Sequence, residues 1–155
     1  MKKISILLLA LMGVIVSCDN KDELNAVQEE QKSMNKDYLG TMTVTFQTVD
    51  YDTDSVRISL TPNAAGDSVS IAFYQVKFVP QMPVKVDITV PGIAVSKTGQ
   101  GVELLCDESI PLSAGGPTER YKVTSFQGQI IGDSISFSLN FGSYPTSYHG
   151  KLSVK

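Results

Sequence analysis

From Tyr38 onward the chain alternates apolar and polar residues with a period of two. Met42, Val44 and Phe46 alternate with Thr41, Thr43 and Thr45. Val56, Ile58 and Leu60, then Val69, Ile71 and Phe73, then Val84 to Val90 repeat the pattern. Ile135, Phe137, Leu139 and Phe141 alternate with serines and Asn140, and Leu152 and Val154 close the chain. This spacing buries one face of a strand and wets the other. β-Branched residues are frequent and no long stretch has helical spacing. Eight strands are expected, near 39–49, 55–61, 67–79, 84–90, 101–106, 120–131, 133–141 and 147–154.

Turn chemistry separates them: Asp50 to Asp54, Asn63 to Asp67, Pro91-Gly92, Gly99 to Gly101, Gly115-Gly116-Pro117 and Gly132-Asp133. Three segments start alike, with "DSVRISL" at Asp54, "DSVSIAF" at Asp67 and "DSISFSL" at Asp133. The Asp-Ser pair is read each time as the close of a turn and the start of a returning strand. One phase change, from Phe73 to Val76 across Gln75, predicts a bulge. Eight consecutive antiparallel strands on short turns predict an all-β fold, an eight-stranded up-and-down barrel. The alternative is a two-sheet β-sandwich.

The N-terminal residues break the pattern. Lys2 and Lys3 precede an apolar run from Ile4 to Val16. The run is shorter than the ~20 residues a membrane span needs, so it reads as a secretory signal peptide. Ile15-Val16-Ser17-Cys18 resembles a bacterial lipobox, which implies diacylglyceryl transfer to the Cys18 thiol and cleavage before it. Buried methylenes contribute about 0.8 kcal/mol each, so two or three acyl chains hold a protein firmly to a bilayer. The expected organisation is a signal at 1–17, an acylated cysteine and polar tether at 18–37, and a barrel domain at 38–155. The tether opens Asp19-Asn20-Lys21-Asp22-Glu23, resembling the tag that sends some Gram-negative lipoproteins to the cell surface. The expected address is the outer membrane, with lipid at Cys18; the tether's start leaves display on the cell surface and an ordinary solvated linker both open.

Charge narrows the partners. Lys and Arg total 13 against 16 Asp and Glu, and loss of Lys2 and Lys3 with the signal makes the chain more acidic. Nucleic acid is not an expected partner. The second cysteine, Cys106, is read as a small buried apolar residue after Leu104-Leu105.

Tyr38-Leu39-Gly40-Thr41, "FVPQMPVKVDITVPGIAV" (Phe78 to Val95), "FQGQIIGDSISFSLNF" (Phe126 to Phe141) and Tyr148-His149-Gly150-Lys151 together resemble the calycin-like β-barrel lipoproteins. That resemblance covers most of 38–155 and implies a lipocalin-related barrel. Lipocalins usually carry Gly-x-Trp near the first strand, and this chain has no tryptophan, so their ligand mode is not carried over.

Candidate chemistry is sparse. His149 is the single histidine, too few for the usual zinc site or nucleophile triad. Asp50-x-Asp52-x-Asp54 starts like a calcium loop but has Ser55 and Thr61 where the loop needs Gly and Glu. Asp107 and Glu108, adjacent on a strand, point to opposite faces and do not flank one bond. No catalytic residue, metal or cofactor is expected. Tyr144 and Tyr148, in "GSYPTSYHG", are the candidate ligand-binding residues, read as aromatics flanking a Pro-containing turn. The expected role is non-enzymatic binding of a small molecule or glycan. A structural or partner-docking subunit with a side-chain-filled barrel is the alternative.

Overall fold

The computed structural model describes residues 36–154, so the signal, Cys18 and residues 19–35 lie outside the described part. The long strands are β1 (Lys36–Phe46), β2 (Val49–Pro62), β3 (Ser68–Val76), β4 (Val86–Thr98) and β5 (Gly101–Ser109). A two-residue ribbon, β6 (Leu112–Ser113) and β7 (Gly116–Pro117), and a 3-10 turn at Glu119–Tyr121 follow. The chain then runs through β8 (Val123–Ile131), β9 (Ser134–Phe141) and β10 (Tyr144–Leu152). Each long strand pairs antiparallel with its predecessor, and β10 returns to β1. Pairing of β3 with β4 completes the ring. The result is a closed eight-stranded antiparallel barrel, not a sandwich.

Closure needs bends, and four strand positions supply them. Gln75 has φ 55° where the β3–β4 register shifts, the bulge expected from the phase change. Ser125 does the same in β8. Two bends were hidden in apparent turns. Asp50 to Asp54 is not a turn: the hairpin turns at Gln47-Thr48, both at positive φ, and the aspartates belong to β2. There Ser55, at φ 58°, forms a bulge opposite β1. The Asp-Ser pair at 54 is therefore a bend within a strand, unlike those at 67 and 133. Likewise Pro91-Gly92 does not end β4. Gly92, at φ +74°, bulges against β3, and the strand continues to Thr98. A bulge is where a sheet tolerates proline.

"GSYPTSYHG" also differs from expectation. The turn is Gly142-Ser143 alone, and Tyr144 to Leu152 is strand. Tyr144 and Tyr148 thus lie on one strand, four residues apart, on the same face. β1 begins at Lys36, inside the stretch read as tether.

The interior is solid. Tyr148 stacks on Phe137 with ring centroids 5.1 Å apart, and Phe137 stacks on Phe126 at 5.0 Å. Phe73 meets Phe137 and Phe141 edge-on at 5.8 and 5.4 Å. Phe141 touches Phe78 at 4.8 Å, and Phe78 touches Tyr121 at 4.5 Å. This column runs along the barrel, wrapped by Met42, Ile58, Leu60, Ile71, Ile88 and Ile93, all buried. Edge-to-face and offset stacking suit the aromatic quadrupoles.

Two glycines allow close packing here, one of strand on strand and one of strand on the column. Gly40 and Gly150 face each other across β1 and β10. A Cβ on Gly40 would sit 2.0 Å from the His149 carbonyl oxygen, and one on Gly150 would strike the Tyr148 ring at 2.6 Å. The Tyr148 hydroxyl then donates to the Val56 carbonyl at 3.0 Å. Gly40→Ala is expected to destabilise the barrel by at least about 2 kcal/mol, because the clash is with backbone. Gly99→Ala, with nothing within 4 Å, is expected to be close to neutral. Urea unfolding of the two variants checks the contrast.

Candidate functional site

The alternation of strand directions sorts the connections. Turns 47–48 and 142–143, loop 77–85 and segment 110–122 lie at one end of the barrel. Turns 63–67, 99–100 and 132–133 lie at the other, with Lys36 and Leu152. The elaborated loops are thus opposite the point where the chain enters.

The loop end is plugged. Phe78, 1% exposed, inserts from the β3–β4 loop, and its N–H donates to Met82 Sδ. Tyr144 is half-buried there, with ring contacts to Phe46 (5.9 Å), Phe78 (6.0 Å) and Tyr121 (6.4 Å). Tyr148 lies deeper and has no exposed surface. Of the two tyrosines singled out in the sequence, Tyr144 closes the mouth and Tyr148 is a core residue whose hydroxyl is committed to Val56.

The concave features lie outside. A cavity of about 510 Å³ is lined by side chains including Glu103, Gln127, Gln129, Ser136, Ser138 and His149. A second, about 460 Å³, shares Gln129, Ile131, Ser136 and His149 with it and continues to Leu39 and Lys151. A third, about 420 Å³, shares Gln127, Ser138 and Ser147 and reaches Thr45 and Asn140. They form one trough along the outer face of β5, β8, β9, β10 and β1. Ser134, Ser136 and Ser138, alternate residues of β9, make a low floor. Longer side chains on β8 and β1 make the walls.

The sequence signal for this trough is the Ser-x-Ser-x-Ser of β9, read there only as a wetted strand face. His149 belongs to it: in register it lies between Thr41 of β1 and Ser136 of β9.

The neighbouring outer face behaves differently. Thr41, Thr43 and Thr45 donate to Asp54, Asp52 and Asp50 at 2.8, 2.7 and 2.7 Å. The three carboxylates stand on alternate residues of an extended strand, about 6–7 Å apart, and so do not converge on one ion. Among the described residues no three His, Cys, Asp or Glu side chains are placed to hold a metal. Glu108 pairs with Lys122, and Asp107 is exposed. Cys106 is half-buried, its thiol donating to the Glu108 carbonyl at 3.3 Å. Burial, helped by the Asp107 charge, pushes the thiol pKa up, away from the reactive thiolate.

No family model matches this sequence, and no curated protein matches it. Among solved structures, the fold is similar to a crystal structure of a "putative outer membrane protein" from Bacteroides fragilis, with a TM-score of 0.56 at 15% identity. The match covers 79% of this chain and 52% of that one, so this chain spans about half its length. At that identity the likeness is one of fold.

The two buried phenols make a paired prediction. Tyr148→Phe is expected to cost about 1 kcal/mol through its lost hydrogen bond. Tyr38→Phe is expected to be neutral or stabilising, because the buried Tyr38 hydroxyl has no partner among the described residues. Burial holds both phenols above the ordinary tyrosine value, with Asp133 adding to the effect at Tyr38. The folded state therefore keeps protons that the unfolded chain releases, and stability falls as pH rises through about 10. Urea melts from pH 8 to 11, with tyrosinate absorbance, check both points.

Proposed function

We propose that this chain is a lipid-anchored envelope protein of calycin-like type, acylated at Cys18, and that it binds through the outside of a solid barrel. The observation that carries the reading is the inversion of interior and exterior. The lumen is filled by an aromatic column, while uncommitted polar side chains gather in the outer trough. A hollow barrel would favour a ligand inside; a filled one leaves its walls and loops to do the binding.

Several observations support the membrane address. The lipobox and basic start lie in residues 1–18, outside the described part. Among the described residues no helix is long and apolar enough to cross a membrane. Outward strand positions carry Thr, Asp, Ser and Gln, the reverse of a lipid-facing barrel wall. Attachment through acyl chains fits that polarity. The fold's likeness to the Bacteroides fragilis protein agrees with an outer-membrane location. Lys36 enters β1 opposite the loop end, so a tether from Cys18 would present the loops away from the bilayer.

The role is non-enzymatic in this reading. The trough holds one histidine and scattered charges, with no carboxylate pair across a cleft. The excess of Asp and Glu (16) over Lys and Arg (13) does not favour nucleic acid as a partner.

Mass spectrometry of the native protein is expected to show a chain starting at Cys18 with added diacylglyceryl and acyl mass. Cys18→Ala is expected to move the protein out of the membrane fraction. An unmodified Cys18, or unchanged fractionation of the variant, would overturn the anchor. Protease treatment of intact cells is expected to cut the barrel's loops, and full protection would count against surface display.

A further inference from the structure

We infer that the outer trough is a site for a neutral, extended glycan chain. The inference rests on the outer-face reading above and adds the class of ligand.

Continuity comes first. The first cavity shares lining residues with each of the other two, so the trough runs from Lys151 and Leu39 near the chain's entry to Thr45 and Asn140 near the loops. A compact metabolite would need one enclosed pocket. A trough open along its length suits a polymer lying along it.

The second observation is a difference in hydrogen bonding between the trough's β1 rim and its floor and β8 wall. On the β1–β2 face the threonine hydroxyls are spent on Asp50, Asp52 and Asp54. Elsewhere in the trough, Ser136, Ser138, Ser147, Gln127 and Gln129 carry no side-chain hydrogen bond to any described residue. Hydroxyls and primary amides both donate and accept. Sugar hydroxyls do the same, and adjacent ones can pair with a single amide.

Charge decides against the alternatives. Glu103, Asp50 and Lys151 are spread along the trough, with no cluster of cations to hold phosphate or a polyanion. No exposed aromatic ring lines it, so stacking contributes little and the binding is weak per site. Leu39, Leu105 and Ile131, each 42–47% exposed, offer aliphatic edges for the apolar faces of sugar rings. A peptide strand could not join by edge pairing, because the closed barrel leaves no free edge beneath the trough.

The test is affinity electrophoresis of the full chain through gels containing dextran, mannan, xylan or, as a charged control, polygalacturonate. Retardation by at least one neutral polysaccharide and not by polygalacturonate is expected. The Gln127→Ala/Gln129→Ala pair should weaken it by about tenfold. Ser138→Gln, which raises the floor, should also weaken it, and Thr61→Ala on β2 should not. Urea unfolding confirms that each variant remains folded. Retardation by no neutral polysaccharide, equal retardation by polygalacturonate, or retardation indifferent to the trough variants would overturn the inference. An acylated, membrane-bound protein that ignores every polysaccharide would sink the glycan and spare the anchored module. A glycan-binding protein with an unmodified Cys18 would do the reverse.

Discussion

Phe137 is the contact on which the rest of this barrel depends. Its ring stacks on Tyr148 and Phe126 and receives the edge of Phe73, tying β10, β8 and β3 to β9. Aromatic rings of this size fill a small eight-stranded lumen. Once they do, the lumen is occupied by side chains. Rigidity is the return: a packed interior transmits little motion to the walls, so side chains on the outer face stand at fixed spacings.

Interior and exterior are coupled at one strand pair. Gly128 of β8 faces Phe137 of β9, and a Cβ on Gly128 would lie 2.4 Å from the Phe137 Cβ. The missing side chain admits the ring. The same stretch of backbone, seen from outside, carries Gln127 and Gln129 as a wall beside the serine floor. A change made to enlarge the core here would therefore be felt in the trough.

Much of this was legible in the residues, for a physical reason. A strand with one dry face must alternate, so the eight strands could be read from apolar spacing, which left a closed ring and a two-sheet sandwich both open. The Gln75 bulge was legible because it flips that alternation in mid-strand. Ser55 and Gly92 were not, because their bends sit in Asp-rich and Pro-Gly sequences with the composition of ordinary turns. Tyr144 and Tyr148 were misplaced by the same cause: Pro145 suggested a turn where it lies in a strand, beyond the last β1–β10 pair. The trough was not legible at all. Alternating serines describe any wetted strand, and only neighbouring strands of longer side chains turn such a row into a depression. The first and last resemblance motifs gained a structural meaning, since Gly40 and Gly150 face each other across β1 and β10 and Gly150 leaves room for the Tyr148 ring.

The ring is sealed between its first and last strands. Tyr38 pairs with Leu152 and Val44 with Thr146, contacts separated by most of the described sequence. Such distant pairing forms slowly. A chain delivered from its N-terminus onward would hold seven strands with two unmatched edges until β10 arrived. Until then both edges are open to pairing with other chains.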